Sequence, residues 1–202
     1  MTTIIAVKSE NRVYMGCDSL FMDMGSFEPV KRTQSKLIIK DELIIGMAGS
    51  SGCKMFQVIK SKLHLSTTKK IKSEDLLDYM VNEFCDKYYE VMKAERLLVL
   101  DEDTKELDAS PAIMLIGIRD RIFHVGEDFD VSEIDMPFYS IGSGSSYALG
   151  SLNATLSLCQ KELSVEDSVL FALKASEKFV QSVKGPFQLV NTGGDLYLLT
   201  CS

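Results

Sequence analysis

With 202 residues, 46% of them hydrophobic, and no linker-like stretch, the chain reads as one domain over residues 1–202 with a substantial core. Its formal charge of −7 argues against a nucleic-acid or anionic-membrane partner, because phosphate binding needs clustered Lys and Arg. No apolar run approaches the roughly 18–20 residues that cross a bilayer, and the start lacks the basic region and cleavage site of a signal peptide.

The opening "TIIAVKS" and "RVYMGCDS", parted by a polar "EN", read as a two-stranded hairpin. A basic patch, "KRTQSK", follows, in which Lys31 and Arg32 read as a solvated loop. "KLIIK" and "LIIGMAG" across "DE" give a second hairpin, and their unbroken apolar runs predict strands covered on both faces. Two helices come next. "SSGCKMFQVIKSKLHL" opens on serines suited to an N-cap. The second runs from an N-capping Ser73 through "EDLLDYMVNEFCDKYYEVMKAE", with Leu76, Leu77, Met80, Val81, Phe84, Tyr88 and Met92 as one buried stripe.

The acidic stretch from Leu100 to Pro111 reads as an exposed loop. "AIMLIGIR" and "RIFHVG" form a third hairpin, and "MPFYSIGSG" leads a strand into a glycine turn. Helices follow in "SSYALGSLNATLSLCQKE" and, behind the capping signal "SVED", in "SVEDSVLFALKASEKFVQSV". "GPFQLVN" and "LYLLTCS" close a last hairpin over "TGGD". Strands, two helices, strands, two helices, strands: this order predicts an α+β fold, a four-layer αββα sandwich of two antiparallel sheets flanked by helix pairs.

Little here supports familiar catalytic side chains. The five cysteines are scattered, odd in number and without a C-x-x-C pair, which fits reduced thiols in a cytoplasmic protein. His64 and His124 lie far apart with no companion at metal-ligand spacing, so neither a metal nor a Ser-His or Cys-His relay is expected. The informative residue is Thr2. Were Met1 removed, as it commonly is before a small residue, Thr2 would carry a nucleophilic hydroxyl and an α-amine that can take its proton. That amine titrates near ~7.7–8.0 when unperturbed, so part of it is neutral at cytoplasmic pH. A nearby cation would favour the deprotonated hydroxyl, and a carboxylate would hold the cation in place.

From "TTIIAV" through "MGCDS", "SKLIIK", "GMAGSSG" and "IGSGSSYALG", the chain resembles the proteasome-type N-terminal-nucleophile peptidases, the catalytic β subunits of the proteasome and the bacterial HslV subunit. The resemblance implies Thr2 as nucleophile, Lys36 as the cation with Asp18 as its ion-pair partner, and the Gly49 N–H as oxyanion donor. It places Ser143 beside the terminal amine, and Phe21 and Met47 as walls of a primary pocket for apolar side chains. The turn between Lys36 and Gly49 is about a residue shorter than in typical members, so the placement of the cation at Lys36 depends on a small gap, with Lys31 and Lys40 as the weaker substitutes. After the last helix, where proteasome subunits carry an aspartate and a serine, this chain has Ser182 without the aspartate.

The implied activity is an endopeptidase acting on unfolded protein or peptide, without a cofactor, inside a homo-oligomeric ring that an AAA+ unfoldase ATPase could feed. The same terminal threonine could instead serve a small-amide amidohydrolase. An inactive structural subunit of such a ring would have no need of Thr2, Asp18 and Lys36 together.

Overall fold

The structure, a computed structural model, describes residues 2–22, 29–31, 35–49, 52–103, 105–158 and 163–199. Strands β1 (Ile4–Ser9) and β2 (Arg12–Cys17) are followed by the short β3 (Leu20–Met22) and β4 (Pro29–Lys31), then β5 (Leu37–Lys40) and β6 (Leu43–Gly49). Helix α1 (Gly52–Lys62) precedes a second helical run made of a 3₁₀ turn (Ser73–Asp75), α2 (Leu76–Tyr79), a π segment (Met80–Cys85) and α3 (Asp86–Ala94). Then come β7 (Val99–Leu100), β8 (Leu107–Ala109), β9 (Ala112–Ile118), β10 (Arg121–Val125), β11 (Val131–Ile134) and β12 (Phe138–Ile141). Helix α4 (Ser145–Leu152) runs into a π segment (Asn153–Leu158); α5 (Val165–Phe179), β13 (Phe187–Asn191) and β14 (Leu196–Leu199) complete the order.

Two five-stranded antiparallel sheets result, in the orders β12-β1-β2-β13-β14 and β11-β10-β9-β6-β5. Strand alternation sorts the apolar side chains into three layers. Ile4, Ala6, Val13 and Met15 meet Ile44, Ala48 and Leu115 between the sheets. Ile5 and Val7 point the other way, onto Val169, Ala172 and Leu173 of α5. Leu43, Ile45 and Met47 pack against Met55 of α1 and against the helical run through Met80, Phe84 and Tyr88. The expected αββα sandwich is the fold observed.

Because both faces of β1 and β6 are apolar, alternation alone leaves their register open. Glycine decides it. A Cβ on Gly16 would stand 2.4 Å from Val169 Cγ1, and one on Gly46 would stand 2.5 Å from Ile4 Cγ2, so the layers close only with these two positions where they are.

Several expectations need correction. Ser73 does not cap a helix: it opens the 3₁₀ turn, and its hydroxyl lies 3.4 Å from the Arg119 guanidinium. Leu77 and Val81 leave the buried stripe and are exposed, while Leu76, Met80, Phe84, Tyr88 and Met92 stay inside. The buried members fall every fourth residue, and on an α-helix that spacing drifts by about 40° per step. The wider π turn at Met80–Cys85 absorbs the drift and keeps the stripe facing the sheet. Within the acidic stretch, β7 and β8 pair as a small ribbon, and Ala109 and Ser110 are buried. Strand β11, polar at Ser132 and Glu133, was not expected; it edges the second sheet by pairing with β10. The serines thought to cap α1, Ser50 and Ser51, and the residue Arg32 lie outside the described residues. The "SVED" signal does cap α5, with Ser164 Oγ accepting from the Asp167 N–H at 3.0 Å.

Candidate active site

Hairpin register brings the first two elements of the site together. Ile4 pairs with Cys17, so the residues one step beyond, Thr3 and Asp18, also face each other. The Thr3 N–H donates to Asp18 Oδ1 at 2.9 Å, and the Leu20 N–H donates to Oδ2 at 3.2 Å. Asp18 is fully buried. Lys36 arrives from the second sheet, at the residue before β5, and its ammonium donates to both Asp18 oxygens at 2.9 and 2.8 Å. The same ammonium donates to Thr2 Oγ1 at 3.2 Å.

Lys36 is 1% exposed and Thr2 7%, so these contacts act where water screens little. A buried ion pair is weak evidence for stability, because desolvation offsets the attraction. Its value here is positional: the pair holds a cation on a hydroxyl. Burial pushes the Asp18 carboxyl above its usual range, against the Lys36 charge and hydrogen bond and the two backbone N–H groups. Next to it, burial and the Asp18 charge push the Cys17 thiol up to about 12, which leaves no thiolate near neutral pH to compete as a nucleophile.

Strand β12 supplies the other side. Its pairing with β1, Ile4 to Ile141, carries the following "GSG" turn onto Thr2. The Thr2 N–H donates to Ser143 Oγ at 3.2 Å; the Ser143 hydroxyl donates to the Thr2 carbonyl at 3.3 Å, joined there by the Gly144 N–H at 3.4 Å. In the chain as written Met1 precedes Thr2, so this nitrogen is a peptide N–H. Gly142 has φ +95°, and a Cβ there would stand 2.2 Å from the Thr2 carbonyl oxygen and 3.4 Å from Ala48 Cβ. No other residue type fits that closure.

Four of the expected residues, Thr2, Asp18, Lys36 and Ser143, thus converge. Gly49 ends β6 opposite Ala112, one residue beyond the Ala48 that borders Gly142. Phe21 is half-buried, its ring centroid 5.0 Å from the Lys36 ammonium and edge-on to Phe56 at 6.1 Å. Met47 is 1% exposed within the core under α1, so the structure leaves Phe21 accessible and covers Met47. Lys40 ends β5 opposite Leu43, away from the cluster, and Lys31 lies in β4 opposite Leu20. Sequence reasoning singled out Ser143 but passed over Gly142 and the cation–π contact of Phe21. The glycine had a signal in "IGSG"; the aromatic contact had none.

Thr3 Oγ1 and Ser182 Oγ are buried side-chain oxygens without a hydrogen-bond partner in the structure. Among the described residues no helix is long and apolar enough to cross a membrane.

No protein-family model matches the chain. Solved structures do. The chain is 20% identical to BPH of Thiobacillus denitrificans, solved in complex with epoxomicin, with 94% of this chain and 97% of that one covered at a TM-score of 0.72. It is 18% identical to a eukaryotic HslV from Trypanosoma brucei, covering 94% and 98% at a TM-score of 0.61. Against Anbu, an ancestral β-subunit from Yersinia bercovieri, identity is 15%, with 98% and 87% covered at a TM-score of 0.67. The shared sandwich extends over nearly the whole chain.

Proposed function

We propose that the chain is a proteasome-type N-terminal-nucleophile hydrolase, a threonine endopeptidase subunit whose nucleophile is Thr2 once Met1 is removed. The observation that carries this reading is the buried Lys36 ammonium, bound at once by the Asp18 carboxylate and Thr2 Oγ1. A structural sandwich gains nothing from desolvating a charge pair beside a hydroxyl. A nucleophile does.

The reaction follows from these positions. The Thr2 hydroxyl gives its proton to its own α-amine as Oγ bonds to the scissile carbonyl carbon. Lys36 stabilises the developing negative charge on Oγ, and Asp18 keeps the ammonium in place. The carbonyl oxygen becomes an oxyanion, which takes the Gly49 N–H; a donor of this kind is typically worth ~2.7–4 kcal/mol. The ammonium on Thr2 then protonates the leaving amine as the C–N bond breaks, leaving an ester on Thr2. Water adds to that ester, its proton going to the amine, and the acid product leaves with the threonine restored. Ser143, in hydrogen-bond reach of the Thr2 nitrogen, holds the amine and relays its proton. No cofactor enters. Phe21 gives the site an apolar wall for the side chain preceding the cut bond.

The reading extends to a homo-oligomeric ring in the cytoplasm, acting on unfolded protein or peptide delivered by an AAA+ unfoldase. HslV, Anbu and BPH are the structures that support this extension through their shared fold. Intact-mass spectrometry with a peptide epoxyketone tests the core claim. Such a reagent offers a ketone to the hydroxyl and an epoxide to the adjacent amine, so a stable adduct needs both on one residue. Loss of Met1 with one adduct on Thr2 is the expected result; Met1 retained with no adduct would return the chain to the structural-subunit reading.

A further inference from the structure

Gly49 and Ala112 form the last pair of the β6–β9 ladder, and the Ala112 N–H also has a side-chain acceptor. It donates to Ser110 Oγ at 3.2 Å, and the Ser110 hydroxyl donates back to the Ala112 carbonyl at 2.6 Å. Having only one proton, Ser110 must accept at its 2.6 Å contact with the Tyr88 hydroxyl, so Tyr88 is the donor. Tyr88, Ser110 and Ala112 are all fully buried. Burial pushes the Tyr88 phenol well above its usual range, so the donor proton is always present.

The backbone this network fixes is the one Gly49 leans on. A Cβ at Gly49 would stand 2.2 Å from the Pro111 carbonyl oxygen and 2.5 Å from Ala112 Cα. Close approach therefore sets the position of Gly49, and Pro111–Ala112 is the surface approached. On the peptidase reading above, we infer that Tyr88 is a positioning residue: through Ser110 it pins Pro111–Ala112 and so aims the Gly49 N–H at the oxyanion. The buried tyrosine of the helical run thus reaches the chemistry without touching the substrate. An apolar Phe would pack as well against Met55 and Phe84, so the hydroxyl needs a separate reason.

Tyr88→Phe removes the hydroxyl and keeps the ring. With rates normalised to active sites titrated by the epoxyketone, kcat falls about tenfold and KM stays within about twofold, short of the ~10²–10³-fold loss on deleting an oxyanion donor outright. A peptide aldehyde, whose carbonyl carbon takes Thr2 Oγ and whose oxygen then sits in the oxyanion position, binds about tenfold more weakly. The corresponding peptide alcohol, which makes no such bond, binds as before. Ser110→Ala cuts the relay one step later and gives the same pattern, and it decides the matter if Tyr88→Phe lowers the melting temperature too far to assay. The double variant is no worse than the worse single, as for one pathway. Unchanged kcat and aldehyde affinity in a folded variant would overturn the inference, and so would an equal loss for the alcohol, which is general loosening. Adduct formation on wild-type Thr2 and its absence in Thr2→Ala are read in parallel. If those controls fail the peptidase reading falls; if they hold and the relay variants behave as wild type, only the role of Tyr88 falls.

Discussion

Lys36 Nζ donates to Thr2 Oγ1 across 3.2 Å, although the two residues sit 34 positions apart in the chain and lead into strands of different sheets of the sandwich. The contact exists because β1 and β5 belong to layers that pack face to face, with Leu37 and Ile4 in the same apolar cluster.

Thr2→Ala abolishes peptide hydrolysis, by about 10⁴-fold or more, while leaving the circular dichroism spectrum and melting temperature close to wild type. Only the hydroxyl and a methyl are lost, and β1 begins two residues later. Preserved turnover would move the nucleophile elsewhere.

Lys36→Met and Asp18→Asn each leave a charge buried without its counter-charge, a penalty of about 3–5 kcal/mol for a pair as deeply buried as this one. The Asp18→Asn/Lys36→Met double variant removes both charges and is expected to be more stable than either single variant in urea titration. Activity does not return with stability. Both singles and the double lose turnover by orders of magnitude, because the ammonium acts on Thr2 only while charged and in place.

Activity depends on pH through Asp18, and the sign is fixed by the direction of its shift. The folded pKa lies above the unfolded one, so between the two values the folded chain holds a proton that the unfolded chain does not. Stability from this group is full below the unfolded value and declines as pH rises through the folded one. Turnover runs the opposite way, because a protonated Asp18 no longer anchors Lys36. The Thr2 α-amine sets the first acid limb of kcat/KM, near ~7.7–8.0 if unperturbed, and Asp18 adds a second, lower limb that falls above the usual aspartate value of about 3.9. In a variant or pH range where the two limbs separate, a second limb at or below that value would contradict the burial argument.

Gly142→Ala is expected to cost both stability and activity. The residue has φ +95°, and the new methyl would meet the Thr2 carbonyl oxygen at 2.2 Å. Gly194→Ala is the matched control: its φ is +93°, but nothing lies within 4 Å of the added Cβ. Both variants incur backbone strain of about 1–3 kcal/mol, visible as a lowered melting temperature. Only Gly142→Ala should also cut turnover, by more than about tenfold, since only there does the side chain displace Thr2. Equal activity in the two variants would mean that the Gly142 turn does not position the nucleophile.

Much of the sandwich was legible because its signals are local. Apolar runs parted by "EN", "DE" and "RD" fold as hairpins through turn chemistry and alternation within a few residues. Asp18 opposite Thr3 is a product of that same hairpin register, so half of the site is written in the first eighteen residues. The buried stripe was harder. Leu77 and Val81 look as apolar as Met80, and only the π turn between α2 and α3 decides which of them face the sheet.

What the sequence by itself determined is the main hairpins and helices, their layering, and the hydroxyl of Thr2 with a carboxylate one hairpin away. What only the tertiary structure decided is how the cation is held. In the sequence the "SKLIIK" resemblance singles out Lys36 over Lys31 and Lys40, but its surroundings are not written there. Folding packs the two sheets together, strips water from Lys36, and places its charge between Asp18 and Thr2. Burial and long-range pairing are properties of the closed core, where an ammonium's strength depends on the water that has been excluded around it.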